Sequence, residues 1–186
     1  MKKALIAIIS AIYIIAIIIV SFLGARAEIS NRIIYAEEIV LLNESMYYQG
    51  LPQTEENMII GVYKRPEENM IDSETGKGYA DEINWNEGET KRDYAIFIYD
   101  YNEVYDKMGK KYALKTSVKP DNTTKKDLDY FVSGGEKVIQ TMSIDTHGEI
   151  TFDTQYTRWV GVDIVISTTD LSGKEITVQL KVNKYE

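Results

Sequence analysis

The sequence predicts an all-β body, an antiparallel β-sandwich, preceded by one N-terminal transmembrane helix. Three observations carry this. A charge-free apolar run opens the chain, alternation of period two fills its C-terminal third, and no convincing helical period follows the opening run.

The opening run extends from Ala4 to Ala25, interrupted only by Ser10, Tyr13 and Ser21. As a helix it would span about 33 Å, enough for a hydrocarbon core of about 30 Å. Nine isoleucines with Leu5, Val20, Phe22 and Leu23 favour insertion by roughly 4 to 8 kcal/mol. Lys2 and Lys3 precede the run, so the positive-inside rule puts residues 1–3 in the cytoplasm and everything beyond the run outside. Residues 4–25 are thus expected to be a signal anchor, residues 26–31 a juxtamembrane link, and residues 32–186 one extracellular domain. Ala25-Arg26-Ala27 also has the small-x-small pattern of a signal-peptidase site, so release of a secreted domain by cleavage after Ala27 is the alternative. The run exceeds the roughly 7 to 15 residues of an ordinary secretory core, which favours the uncleaved anchor.

All 29 acidic residues follow the run, against 19 of the 21 lysines and arginines, leaving the outer part with a net charge of −10. With no basic cluster interrupting that acidity, neither a nucleic-acid footprint nor a polybasic lipid patch is expected. The chain has no cysteine, which excludes thiol catalysis, thiolate-bound zinc, disulfides and lipoprotein acylation. A single His147 removes metal sites built on two or three histidines.

Along the outer part, Ile33 to Leu42 is too densely apolar to choose between periods, and strand is preferred over a helix continuing from the membrane. Met58 to Tyr63 is a second strand, stopped by Pro66. The stretch near 65–91 is rich in Glu, Asp, Asn and Gly and reads as a long exposed loop insertion, with a short strand around Ile83 to Trp85. Asp93 to Tyr101 is apolar on both faces, which predicts a strand covered on both sides. Tyr112, Leu114, Thr116 and Val118 form one alternating strand closed by Pro120-Asp121-Asn122. Val138 to Ile144 and Ile150 to Phe152 flank the turn Asp145-Thr146-His147-Gly148. Val160 to Ser167 and Ile176 to Val182 flank Asp170-Leu171-Ser172-Gly173. Both pairs read as antiparallel hairpins.

The order of these elements resembles the bacterial immunoglobulin-like domains of group 2. The residues that carry the resemblance are Leu114 to Val118, the turn Pro120-Asp121-Asn122-Thr123-Thr124-Lys125-Lys126, the aromatic strand from Tyr130 to Ser133, the Asp145 to Gly148 hairpin and the two closing strands. It covers roughly residues 111–182, and Glu38 to Leu42 could supply the opening strand. Departures are Tyr130 where the family usually has Trp, Thr157-Arg158-Trp159 where it has Gly, and a far longer stretch between Asn43 and Lys110. The resemblance implies an immunoglobulin-like β-sandwich on a bacterial surface, and it transfers no functional residue because the shared residues build the fold.

The chemistry-bearing candidates are weak. His147 with Asp145 lacks a nucleophile and reads as a turn. Asp72-Ser73-Glu74-Thr75-Gly76, with Asp81 and Glu82 nearby, shares acidic spacing with calcium loops but not the remaining ligands; a solvated acidic loop is simpler, and adventitious calcium is left open. Gly134-Gly135 lacks the strand, helix and third glycine of a phosphate cradle. Asn43-Glu44-Ser45 and Asn122-Thr123-Thr124 match a glycosylation sequon that is common by chance. Fourteen tyrosines are explained by strand preference, and Trp85, in the acidic loop, is the aromatic expected to meet a partner. No catalytic, cofactor-binding or metal-binding residue is expected, and no cofactor. The function expected is a non-catalytic interaction or structural module at the cell surface, with membrane contact through the helix and a protein or carbohydrate partner. The alternative is an extracytoplasmic subunit of a membrane or envelope complex with a sensory or assembly role.

Overall fold

The computed structural model describes residues 10–23, 32–72, 75, 77–78, 80–99, 111–133, 142–152 and 160–182. The chain divides into a unit of residues 1–34 and a compact unit of residues 35–186.

In the first unit residues 10–23 are helical, with Ile12, Ile15, Val20 and Phe22 exposed. Such a stretch rises about 21 Å, and among the described residues no helix is long and apolar enough to cross a membrane. Residues 4–9 and 24–25, which the expected span also includes, lie outside the described residues.

The second unit is built of β-strands. In order they are β1 (Glu38–Leu41), β2 (Met46–Tyr47), β3 (Met58–Lys64), β4 (Lys77–Gly78), β5 (Ala80–Asn84), β6 (Asn86–Glu87), β7 (Thr90–Lys91) and β8 (Tyr94–Ile98). Then come β9 (Lys111–Ala113), β10 (Thr116–Lys119), β11 (Leu128–Ser133), β12 (Met142–Ile144), β13 (Glu149–Phe152), β14 (Val160–Thr168) and β15 (Glu175–Val182). The largest sheet has six strands in the order β11-β14-β15-β8-β3-β2. A pair β1-β10 and a three-stranded sheet β12-β13-β9 contribute to the same core.

Period-two alternation places the core. Val162, Ile164 and Ile166 of β14 and Ile176, Val178 and Leu180 of β15 are buried, and they pack with Ile39 and Leu41 of β1, Tyr112 of β9 and Ile150 of β13. The closing hairpin pairs from Val160↔Val182 to Ser167↔Glu175, and the β12-β13 hairpin pairs Ile144↔Ile150 around Asp145 to Gly148. Residues 138–141 of the expected strand lie outside the described residues.

Three expectations are corrected. The body is not purely antiparallel, because β15 pairs with β8 in parallel, from Val178↔Tyr94 to Val182↔Ile98. More than seventy residues separate the two strands, so no hairpin constrains their relative direction. Tyr112 to Val118 is two strands: β9 pairs with β13 while β10 pairs with β1. At the break Leu114 N donates to Gly148 O at 2.9 Å, and Lys115 O accepts from Leu42 N at 2.7 Å, so the chain changes partners within two residues.

The third correction concerns the stretch near 65–91, which keeps many exposed residues and the expected short strand near Ile83 but is not a loop throughout. It folds into the hairpins β4-β5 and β6-β7 and lays Ile71, Ile83 and Trp85 on the outer face of the six-stranded sheet, against Ala95 and Phe97. All five residues of β8 are therefore buried: Tyr94, Ile96 and Ile98 in the main core, Ala95 and Phe97 under the insertion.

Candidate interaction surface

Two arginines hold the insertion in place. Arg92, 3% exposed, donates from Nε to Asp163 Oδ1 at 2.6 Å and from Nη2 to Asp163 Oδ2 at 2.9 Å, a two-point grip on β14. Its Nη1 reaches Asn84 O at 2.6 Å and its Nη2 also reaches Glu87 Oε2 at 2.5 Å, both in the insertion. With its amide oxygen turned toward the guanidinium, Gln179 of β15 accepts from Arg92 Nε at 3.1 Å. Burial works against the positive charge, but Asp163 and Glu87 outweigh it and hold the Arg92 pKa above its ordinary value. Arg65 donates to Trp85 O at 3.1 Å, to Asn86 Oδ1 at 2.9 Å and to Glu68 Oε1 at 3.0 Å. The outer face of the sheet is thus closed where β8 and its neighbours lie.

That closure removes the aromatic singled out from the sequence. Trp85 is 1% exposed, packed in the cluster with Phe97, and unable to meet a partner without unfolding the insertion.

The remaining candidates resolve into turn and clamp geometry. Asp145 Oδ1 accepts from the backbone N of His147 at 2.9 Å and of Glu149 at 2.8 Å, and those bonds, led by that from Glu149, hold its pKa below the ordinary carboxylate value. His147 is exposed, with Nδ1 3.8 Å from Asp145 Oδ2, beyond hydrogen-bond range, so the carboxylate shapes the loop and does not orient the imidazole. Gly148, at φ +78°, completes the turn, and a Cβ there would lie 2.9 Å from the Tyr130 ring. Asp72 Oδ1 accepts from Thr75 N at 2.7 Å; Ser73, Glu74 and Gly76 lie outside the described residues, as do Gly134 and Gly135 and the side chains of Asp81 and Glu82. Among the described residues there is no group of three or more His, Asp or Glu placed to hold a metal ion.

Asn43 of the first sequon is a clamp. Its Nδ2 donates to Tyr112 Oη at 3.0 Å and Ala113 O at 2.9 Å, while its Oδ1 accepts from Lys115 N at 2.7 Å. It bridges the break between β9 and β10, and burial pushes the Tyr112 hydroxyl up to about 12. In the second sequon Thr123 is buried and bonded to Pro120 O through its backbone N, after a cis Lys119-Pro120 bond.

The candidate for an interaction edge is β11, whose aromatic strand the sequence resemblance includes but without a binding role. It pairs with β14 in an unbroken register from Leu128↔Thr168 to Ser133↔Asp163, and among the described residues no strand pairs with its other edge. Leu128, Tyr130 and Val132 pack toward the main core, so Asp129 and Phe131 face outward, Phe131 being 49% exposed. The strand is firmly held. Tyr130 Oη lies 2.7 Å from Thr116 Oγ1, Thr169 N donates to Asp127 O at 3.2 Å, and Lys125 Nζ donates to Thr169 O at 3.1 Å. Beside it lies a polar cleft of about 340 Å³ lined by Thr116, Asp121, Lys126, Asp127 and Tyr130 among others.

The opposite end of the sheet is blunted. There β2 has two residues and an irregular register, and Ser45 Oγ takes the Val62 N–H at 3.0 Å. By contrast β11 has six residues, no proline and no register shift, which leaves a row of main-chain donors and acceptors suited to an added strand.

No protein-family model matches this chain, and no curated protein matches it.

Proposed function

We propose that this chain is a membrane-anchored surface protein whose immunoglobulin-like body is a non-catalytic interaction module, working through main-chain pairing at an open sheet edge. The observation that carries the reading is the edge of β11 that no strand among the described residues covers, with Phe131 exposed near its centre. An unpaired strand of this length attracts other strands unless it is protected, and persistence of such an edge in an ordered sheet fits a docking role.

The immunoglobulin-like part of the reading is supported by the sheet that contains β11-β14-β15 sharing one core with β1-β10 and β12-β13-β9, alongside the sequence resemblance. The anchor is supported by the apolar run from Ala4 to Ala25, and the outward orientation by Lys2 and Lys3 before it. Anchor and edge together suit a body displayed at a fixed surface, where even a weak strand-to-strand contact gains from confinement.

Alkaline extraction of membranes tests the anchor: the full-length chain is expected in the pellet, and a shortened chain in the medium would replace the anchor by cleavage after Ala27. Protease added to intact cells tests the orientation: digestion of the body agrees with it, and full protection equal to that of cytosolic controls contradicts it.

A further inference from the structure

We propose that the strand received by β11 is β11 of a second copy of this chain, paired antiparallel across a two-fold axis at Phe131. The inference rests on the interaction-module reading and names its partner.

The outward row of β11 is Asp129, Phe131 and Ser133, and its inner row is Leu128, Tyr130 and Val132. Reversing such a strand against itself about Phe131 sets ring against ring, each Asp129 opposite a Ser133 hydroxyl, and each Tyr130 opposite a Val132. Aromatic pairs are among the favourable cross-strand contacts, and no like charges meet. Other symmetric registers are poorer, and those centred on Val132 or Ser133 overlap three residues of β11 or fewer. Centring on Asp129 stacks two carboxylates, centring on Leu128 sets Asp127 against Asp129, and centring on Tyr130 puts each Phe131 opposite an Asp129 carboxylate. A two-fold axis also satisfies the main-chain pattern without further conditions, because the two residues on it are identical and turn their N–H and C=O groups to the same side. The product is one continuous sheet in which the inner rows of both copies carry on the same apolar layer.

The chain has no cysteine, so introduced thiols report pairing without background. In this register two residues at position 131 have Cα atoms about 4.5 to 5.5 Å apart, within disulfide reach, whereas two residues at position 129 are offset by about 13 Å along the strands. The full chain is assayed in its own membrane under mild oxidation, with products separated without reductant. Phe131→Cys is expected to give a disulfide dimer and Asp129→Cys to stay monomeric. Asp129→Cys/Ser133→Cys, which keeps Phe131, is expected to give a dimer, reduced about tenfold when Phe131→Lys is added and sets like charges on the axis.

A monomeric Phe131→Cys chain, or equal dimer from Phe131→Cys and Asp129→Cys, overturns the self-pairing. Capture of a different protein by Phe131→Cys also overturns it, while leaving the interaction-module reading in place. Absence of any adduct at all three thiol variants counts against both.

Discussion

Removing one partner from the Arg92–Asp163 pair will unfold the protein far more readily than removing both. In Asp163→Ala the guanidinium of Arg92, a residue only 3% exposed in the parent, loses two hydrogen bonds, from Nε at 2.6 Å and from Nη2 at 2.9 Å. Breaking a buried pair in this way costs about 3 to 5 kcal/mol. The lower end applies, because Arg92 keeps Glu87 Oε2 and Asn84 O. About 3 kcal/mol, with a urea slope of about 2 kcal/mol per molar, moves the unfolding midpoint down by about 1.5 M. Arg92→Met/Asp163→Leu leaves no orphaned charge and is expected within about 1 kcal/mol of the parent. Equilibrium urea unfolding followed by circular dichroism reads both. A loss under about 1 kcal/mol for Asp163→Ala, or a double variant as damaged as the single one, would refute the claim that this pair pins the insertion to the sheet.

Trp85→Ala empties the cluster it shares with Phe97 and should cost about 3 to 5 kcal/mol in the same assay, where an exposed tryptophan would cost almost nothing. Asn43→Ala leaves Ala113 O and Lys115 N without their clamp and is expected to lower stability by about 1 to 3 kcal/mol, and unchanged unfolding would remove Asn43 from the strand break. Gly148→Ala forces a side chain into a left-handed turn against the Tyr130 ring and should cost at least about 1 to 2 kcal/mol. Asp170, held down to about 2 chiefly by the Ser172 hydroxyl and also by the Ala36 N–H, stabilises the fold above its ordinary pKa and stops doing so as pH falls through about 2. Asp170→Ala should therefore unfold earlier than the parent near pH 6, with the gap closing near pH 2; a gap that persists in acid contradicts the assignment.

The sheet that carries the proposed edge was legible where alternation is local. Val162, Ile164 and Ile166 against Ile176, Val178 and Leu180 define the closing hairpin and its buried face with no information from elsewhere. The insertion was misread because its polar composition hides three buried residues, Ile71, Ile83 and Trp85, and because Arg65 and Arg92 look like ordinary surface charges until Asp163, 71 positions along the chain from Arg92, is brought to meet one of them. A signal was present: Ala95 and Phe97 alternate with Tyr94, Ile96 and Ile98, so a second cover was required, and the acidic stretch just before them supplies it. The break at Leu114 was hidden for the same reason, since alternation runs through it and its clamp, Asn43, is about 70 positions away. The open edge was not legible at all. Whether Phe131 borders solvent depends on the order of strands in the sheet, which no residue pattern within β11 encodes.

The central claim, a strand-built body displayed outside the membrane, is tested most directly by thiol labelling at Leu171, which is 90% exposed in a chain without cysteine. A membrane-impermeant maleimide added to intact cells should label Leu171→Cys as fully as it does after lysis. Labelling only after lysis would contradict the account.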